Sequence, residues 1–359
     1  MAEQNLILAI NPGSTSTKIA VYDGEKKEFQ KNLKHDVEEI KKFKCITDQY
    51  EFRRDIILKE VKEAGFNIAD FKIIIGRGGL VKPIQSGVWG VNEAMLHDLR
   101  IGYAGQHASN LGGIIADDIA KQIPGVQAVI ADPVVVDELE PFARVSGHPL
   151  IERKAIFHAL NQKAIARQFA KDQNKPYESL NVIVVHLGGG VSVGAHKNGK
   201  IIDVNQALDG DGPFSPERSG GLPVGGLIEI CFSGKYTKEQ VKKMVVGEGG
   251  FVAYLGTNDA LKVEQAAAAG DEKAAFYQSA MAYQVSKEVG AAAAVLKGKV
   301  DGILLTGGMA YGKDLVNDIK ERVDFIAPVH VYPGEDEMGA LAMNAYRVLK
   351  GETSILEYK

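Results

Sequence analysis

The sequence predicts an α/β protein of two domains that repeat one pattern of strands. A chain of 359 residues is longer than one hydrophobic core comfortably holds, so two domains are expected. A strand, a glycine turn and a second strand occur at residues 6–23 and again at 181–196, which indicates internal duplication. A stretch punctuated by proline and glycine, 141–149, places the domain boundary near residue 150.

Composition excludes several classes of function. The hydrophobic fraction of 45% and the charged fraction of 25% are ordinary for a globular enzyme. A net charge of −4 without a basic run argues against nucleic acid as a partner. No apolar run approaches the ~18 residues of a membrane span, and the N-terminus lacks the pattern of a signal peptide. Cys45 and Cys231 lie far apart without a CxxC motif, which favours buried or incidental thiols and a cytoplasmic location.

The opening stretch, residues 6–23, is predicted to be a β-hairpin whose turn binds phosphate. An apolar run ends at Asn11, a Pro-Gly pair turns the chain, and a polar segment leads into a second alternating run. Gly13 allows a ligand to approach the backbone. The N–H groups and hydroxyls of the Ser-Thr-Ser segment can donate to phosphoryl oxygens, with Lys18 as a point charge. An ordinary polar hairpin turn is the alternative.

The remaining elements follow from hydrophobic periodicity. Strands are predicted at 71–75, 126–131, 181–186, 191–196, 200–204, 300–305 and 328–332. Helices are predicted at 50–66, 107–123, 153–173, 237–246, 271–296, 313–322 and 338–349. The first of these helices is expected to turn Ile56, Ile57 and Val61 inward.

Three residues of the first half are candidates for function. Arg77 lies in a glycine-rich turn directly after the strand 71–75, where α/β folds place ligand contacts. A solvated loop arginine is the alternative there. Asp132 ends the next strand and precedes a proline, for which turn punctuation is the simpler interpretation. His158 lies in the predicted helix 153–173, where a structural histidine is the simpler interpretation.

The second half repeats the glycine turns. The turn at 188–190 could bind phosphate, and the glycine pair at 307–308 admits a flat or anionic ligand before a helix. A long Gly- and Pro-rich loop, 208–226, carries Arg218, and long ordered loops in enzymes are usually functional. The acidic residues 335–337 precede a helix, where a capping preference is the simpler interpretation.

Neither GxxxxGK[ST] nor a GxGxxG between strand and helix is present, which excludes Walker-type and dinucleotide-binding sites. Three glycine-rich turns after strands instead resemble the duplicated actin-like (ribonuclease H-like) two-domain fold of acetate and sugar kinases. The sequence between residues 6 and 350 resembles the acetate kinase family, in particular its branch acting on short and branched acyl chains. The resemblance is carried by INPGSTSTK, GRGG, ADP, FHALNQKAIA, HLGGG, PERSGG, LLTGGMA and PGEDEMGALA.

The resemblance implies a role for each matching position. Residues implied in nucleotide binding are Asn11, Ser14, Ser16, Lys18, His186, Gly188, Gly190, Thr306, Gly307 and Gly308. Catalytic roles are implied for Arg77, Asp132, His158 and Arg218, with the two arginines clamping carboxylate and phosphoryl group. A magnesium-linked glutamate falls within 335–337, and Glu335 and Glu337 are favoured over Asp336.

The activity implied by this resemblance is ATP-dependent phosphorylation of a carboxylate, giving an acyl phosphate and ADP with Mg²⁺. Butanoate is the favoured substrate, and 2-methylpropanoate or another short-chain acid is the alternative. Gly78 and Gly79 replace two valines of acetate kinases and are expected to leave room for a longer acyl tail. A sugar kinase acting on a hydroxyl and a nucleotide-gated binding module are more distant alternatives.

The family further implies how the chain is organised. Domains are expected at 1–150 and 151–335, with the C-terminal segment 336–359 completing the first. The nucleotide is expected between the domains, which would close on binding it. A homodimer or larger homo-oligomer is also implied.

Overall fold

The computed structural model describes residues 4–359 and divides into two compact units. The first unit comprises the described residues up to Val136 together with Asp336–Lys359, and the second is Asp137–Glu335. The predicted boundary near residue 150 therefore lies inside the second unit. The reason is local: the Glu138 carboxylate accepts hydrogen bonds from Lys163 and from the backbone of Ile201, so this segment packs with the second unit.

The chain alternates strands and helices throughout. The strands are β1 (Leu6–Pro12), β2 (Ser16–Asp23), β3 (Lys26–Lys34), β4 (Phe71–Arg77), β5 (Val88–Gly90), β6 (Gln127–Ala131), β7 (Asn181–Leu187), β8 (Val191–Lys197), β9 (Lys200–Val204), β10 (Gly302–Gly307), β11 (Val329–Pro333) and β12 (Ile355–Glu357). The helices are α1 (Val37–Ile40), α2 (Tyr50–Glu63), α3 (Glu93–Ile101), α4 (Asn110–Ala120), α5 (Pro141–Arg144), α6 (Ala159–Asp172), α7 (Val224–Phe232), α8 (Lys238–Val245), α9 (Gly250–Leu255), α10 (Ala260–Ala268), α11 (Glu272–Val295), α12 (Lys313–Val323) and α13 (Glu337–Leu349).

Each unit contains one mixed sheet, and the two sheets share a topology. The first has the order β12-β5-β6-β4-β1-β2-β3 and the second β11-β10-β7-β8-β9. In both, three consecutive strands form an antiparallel meander, and the first strand of the meander pairs in parallel with a strand that follows later. The order β6-β4-β1-β2-β3 thus matches β11-β10-β7-β8-β9. This confirms the predicted duplication.

Buried apolar strands form the core of each unit. Every residue of β1 is buried, as its continuous apolar run predicts for a central strand. The backbone of α4 lies against the end of β4, since a Cβ on Gly76 would lie 2.1 Å from the carbonyl oxygen of Gly112. Glycine at both positions therefore allows the helix to approach the strand that carries Arg77.

The predicted strands and helices are present, with one shifted start and several omissions. Helix α6 begins at Ala159 rather than near 153, so His158 is its N-cap residue and does not lie inside the helix. Periodicity did not indicate β3, β5, β12, α1, α3, α5, α7, α9 or α10. Cys45 and Cys231 are free and exposed, so of the two expectations, buried or incidental thiols, burial is wrong. Within residues 4–359, no helix combines the length and apolarity that a bilayer span requires.

Candidate active site

In the first unit, the ends of β1 and β4 and the start of α13 bring three predicted residues together. Arg77 Nη1 lies 2.5 Å from Glu337 Oε1, and Asn11 Nδ2 donates to Glu337 Oε2 at 2.6 Å. The same Arg77 nitrogen lies 3.4 Å from Asn11 Oδ1. Among the residues described, Nε and Nη2 of Arg77 make no hydrogen bond, so one edge of the guanidinium is available to a ligand.

The side chain of Asp132 is buried and does not face solvent. Its side chain is 1% exposed, and its Oδ1 accepts from the Ser86 hydroxyl at 2.6 Å and from the Gly87 amide at 2.9 Å. Its backbone has a φ of 41°, which is uncommon for a residue with a side chain. These contacts fix the loop before β5, and they account for the burial of the carboxylate.

The predicted phosphate turn lies between β1 and β2. Ser14 and Thr15 are exposed, while Ser16 and Lys18 are half-buried at the start of β2. Lys18 pairs in register with Asn11, so both side chains belong to the same end of the hairpin. The turn is closed by a hydrogen bond of 2.7 Å from the Gly13 amide to the Ser16 carbonyl.

In the second unit, two histidines face one glutamate. His158 Nε2 lies 3.4 Å from Glu335 Oε2, and His186 Nε2 lies 3.3 Å from Glu335 Oε1. The imidazole centroids are 4.6 Å apart. Asn161 orients both rings, because its backbone N–H donates to His158 Nδ1 and its Oδ1 lies 2.8 Å from His186 Nδ1.

This arrangement sets the charge of Glu335. Hydrogen bonds from His158 and then from His186 hold the pKa of the Glu335 carboxyl well below its usual range, although burial acts in the opposite direction. Glu335 is therefore ionised at neutral pH. Of the three consecutive acidic residues, Glu335 contacts the histidines and Glu337 contacts Arg77. Asp336 instead caps α13 by accepting from the Gly339 amide at 2.9 Å.

The second glycine turn is shaped by Arg218. A Cβ on Gly190 would lie 1.9 Å from Arg218 Nη1, and a Cβ on Gly188 would lie 2.9 Å from His186 Nε2. Arg218 Nη1 donates to the Ala207 carbonyl at 2.6 Å, and its buried Nε has no hydrogen-bond partner among residues 4–359. Burial lowers the pKa of Arg218. Glycine at these positions lets the backbone pass close to the side chains of Arg218 and His186.

A cavity of about 550 Å³ lies beside this turn, entirely within the second unit. Gly188, Gly308 and Glu335 are part of its wall. Thr306 and Gly307 directly precede Gly308 and are not among the described residues of this wall, so their implied role in nucleotide binding stays a prediction. The Thr306 hydroxyl is buried and donates to the Gly334 carbonyl at 3.2 Å. The two residues fix the strand end from which Gly308 reaches the cavity.

Two residues of this unit contact the candidate site and were not among the site residues expected from the sequence. Asn161 holds both histidines, and the only signal for it was its place one turn after His158. Gln278 lines the cavity from α11. A glutamine on an Ala-rich helix gives no signal that distinguishes it from a surface residue.

The expected room beside Arg77 is absent at Gly78 and Gly79. A Cβ on Gly78 would lie 2.6 Å from the Pro133 Cβ, and a Cβ on Gly79 would lie 2.6 Å from a methyl carbon of Leu99. Neighbouring side chains already fill the space beside both glycines. The expectation that these glycines accommodate a longer acyl tail is therefore wrong.

The two duplicated sheets define a two-unit α/β fold that this chain shares with solved acetate and propionate kinases. The chain aligns with acetate kinase from Porphyromonas gingivalis with a TM-score of 0.79, at 19% identity, covering 96% of this chain and 100% of that one. It aligns with a propionate kinase from Francisella tularensis with a TM-score of 0.72, at 20% identity, covering 95% and 98%.

Sequence comparison then identifies the family. Residues 146–328 match the acetokinase family. The chain is also 58% identical over 353 residues to Butyrate kinase 2 of Clostridium acetobutylicum, covering 98% of this chain and 99% of that protein. The chain belongs to the acetokinase family.

Proposed function

We propose that this protein transfers the γ-phosphoryl group of ATP to butanoate, giving butanoyl phosphate and ADP in a reversible reaction. The observation that carries the substrate assignment is the 58% identity to Butyrate kinase 2 over nearly the whole chain. Other short-chain acids, including 2-methylpropanoate, are the alternative substrates.

The chemistry requires charge neutralisation more than a base. A carboxylate with a reference pKa near ~4.3 is ionised at neutral pH, so the obstacle is repulsion between two anions. The free edge of Arg77 suits a carboxylate, because a guanidinium can donate two parallel hydrogen bonds to it. Glu337 and Asn11 hold the other side of the same group and thereby fix its direction.

The second unit supplies the groups for the phosphoryl chain. His158, His186 and Arg218 are proposed to donate to phosphoryl oxygens, and the cavity beside Gly188 and Gly308 is proposed to hold the adenosine. Asn161 keeps the histidines oriented. Such fixed donors stabilise charge that develops during transfer.

Mg²⁺ fits the carboxylates at the start of α13. It prefers oxygen ligands and usually binds through one or two carboxylates together with substrate phosphates. Glu335 is ionised and lines the nucleotide cavity, so we propose it as the magnesium-linked residue, with Glu337 as the second candidate. When bound, the ion neutralises charge on the terminal phosphates.

A sugar kinase activity is disfavoured by the environment of Asp132. Phosphorylation of a hydroxyl uses a carboxylate base. The Asp132 carboxylate is buried and already accepts from Ser86 and Gly87.

The assay that tests the function traps acyl phosphate with hydroxylamine, using butanoate, 2-methylpropanoate and acetate in parallel. Butanoate is expected to give the highest kcat/KM. Arg77→Ala is expected to lower kcat/KM for butanoate by roughly a hundredfold or more. Arg100→Ala, which removes an exposed arginine of α3, is the matched control and should leave it unchanged. A wild-type protein that forms ADP without hydroxamate would contradict the assignment.

We also propose a cytoplasmic homo-oligomer, a dimer or larger, assembled through α7. Val224, Ile228 and Phe232 recur every four residues along one face of this helix and are 68%, 50% and 86% exposed. Glu229 is its one charged residue, so two copies of the face can meet without like-charge repulsion. Symmetric dimers with self-complementary surfaces are the commonest oligomers.

A further inference from the structure

Arg53 occupies a core position of α2, on the side that the sequence assigns to aliphatic residues. Its side chain is 0% exposed, and it lies on the same buried side as Ile57 and Val61. Arginine is almost never fully buried unless it is paired. The contacts of its guanidinium group must therefore account for its burial.

The guanidinium of Arg53 binds the carbonyl groups of the turn between β1 and β2. Nη1 donates to the carbonyls of Gly13 at 2.7 Å and Ser16 at 3.1 Å, and Nη2 donates to that of Ser14 at 3.0 Å. The carbonyl of Thr15 accepts instead from the His35 amide at 2.9 Å. All four carbonyls of the turn are thus engaged with protein.

Backbone N–H groups of the same turn remain available to a ligand. Ser14 and Thr15 are exposed, and within residues 4–359 their backbone N–H groups make no hydrogen bond. A turn whose carbonyls are bound on one side and whose N–H groups are unpaired on the other is suited to anions. Arg53 binds three of the carbonyls and so keeps them on the side of the turn away from the unpaired N–H groups.

Within residues 4–359, no carboxylate forms an ion pair with Arg53. Its other partners among the described residues are neutral: Gln49 Oε1 at 2.7 and 3.1 Å and Thr17 Oγ1 at 3.2 Å. Burial lowers its pKa to about 10, so it stays charged at neutral pH. Burial and the charge of Arg53 lower the pKa of neighbouring His35 to about 4, so that ring is neutral. The cluster therefore carries one positive charge.

We propose that Arg53 is a positioning residue for the phosphate chain of the nucleotide. It holds the turn with its N–H groups directed to the ligand, and its buried charge is compensated by the bound polyphosphate. This rests on the proposed function, in that the ligand of the turn is taken to be ATP or ADP. Arg53 itself contacts protein groups only, and it acts on the nucleotide through the turn.

Equilibrium binding of Mg-ADP, measured by calorimetry without carboxylate, tests this independently of turnover. Arg53→Gln is expected to weaken Mg-ADP binding by roughly tenfold or more, the worth of one or two charge-assisted hydrogen bonds. Arg53→Lys keeps the positive charge but lacks the planar guanidinium that donates to several carbonyls. Its affinity for Mg-ADP should therefore lie between those of Arg53→Gln and the wild type. The KM for ATP should rise in parallel while the KM for butanoate stays within about twofold.

Arg54→Gln is the matched control. It removes the adjacent arginine of the same helix, whose partners are Asp55 and Asp118, and it should leave Mg-ADP affinity unchanged. Where Arg53→Gln fails to fold, Gln49→Leu removes only the side support of the guanidinium and should weaken Mg-ADP measurably.

Two results would overturn the proposal. One is wild-type affinity for Mg-ADP in folded Arg53→Lys and in Gln49→Leu. The other is an equal rise in the KM values of ATP and butanoate, which indicates a general loss of structure. If the wild type binds Mg-ADP and yields no hydroxamate, the assigned reaction fails, while a selective loss of affinity in Arg53→Gln still supports the role of Arg53.

Discussion

Gln278 shows how one buried side chain can indicate which chemical group a cavity binds. It is 8% exposed, lines the cavity of the second unit, and its Oε1 has no hydrogen-bond partner within the described chain. A buried acceptor left unpaired costs about 1–3 kcal/mol, which a donor from a ligand would offset. The exocyclic amino group of adenine is such a donor, whereas guanine presents a carbonyl oxygen in its place.

We therefore expect Gln278→Leu to reduce the preference for ATP over GTP. The kcat/KM for ATP should fall by roughly tenfold, and that for GTP should be unchanged or higher, because the unpaired acceptor is gone. Initial rates with both nucleotides measure the ratio. Gln265→Leu, on the exposed surface of α10, is the control. Equal losses for ATP and GTP would show that Gln278 does not contact the base.

The turn between β7 and β8 gives a prediction about an element. Gly190→Ala places a Cβ where Arg218 Nη1 now lies, so the guanidinium must move away from the turn. We expect turnover to fall by roughly a hundredfold, as for removal of a catalytic donor, with a smaller change in the KM for ATP.

The neighbouring glycine supplies the comparison for this prediction. A Cβ on Gly189 would lie 3.6 Å from its nearest neighbour, Glu217 Oε1, which is ordinary contact. Gly189→Ala should therefore keep most of the wild-type turnover. Similar activities for the two variants would mean that the position of Arg218 does not govern the reaction.

Strands could be predicted from the sequence where burial requires their residues to be apolar. The strands β1, β4 and β7 are continuous apolar runs because each is a central strand of its sheet and packs against helices, and glycine marks the turns after them. Strand β3 was missed because it is an exposed edge strand whose residues are mostly polar. Strands β5 and β12 are too short for alternation to be visible.

Residues of the candidate site could be proposed from the sequence where a glycine or a charged residue follows a strand. Arg77, His186 and Gly188 belong to that group, and they lie at the ends of β4 and β7. Contacts between residues distant in sequence could not be foreseen. Arg53 lies 40 positions from Gly13, and its charge predicts a surface residue although it shares the buried side of α2 with Ile57 and Val61. The filled space at Gly78 and Gly79 likewise depends on Pro133 and Leu99.

At the scale of the molecule, α7 predicts the state of association. Phe232→Asp and Ile228→Asp each place a carboxylate on its apolar face, where pairing with a second copy would bury it. We expect size-exclusion chromatography with light scattering to give an oligomeric mass for the wild type and a monomeric mass for both variants. Phe325→Asp changes an equally exposed aromatic residue beyond α12 and should keep the oligomer. A monomeric wild type would contradict the proposal.

Because residues 336–359 belong to the first unit, the two units are completed in a fixed order during synthesis. Strand β12 pairs in parallel with β5, and α13 packs against β1 and β4. On the ribosome, Asp137–Glu335 is complete before the residues of α13 and β12 have been translated. The unit that begins first is therefore finished last. Its apolar sheet stays partly uncovered until α13 and β12 have been translated, so a message that stops before α13 would leave an aggregation-prone fragment.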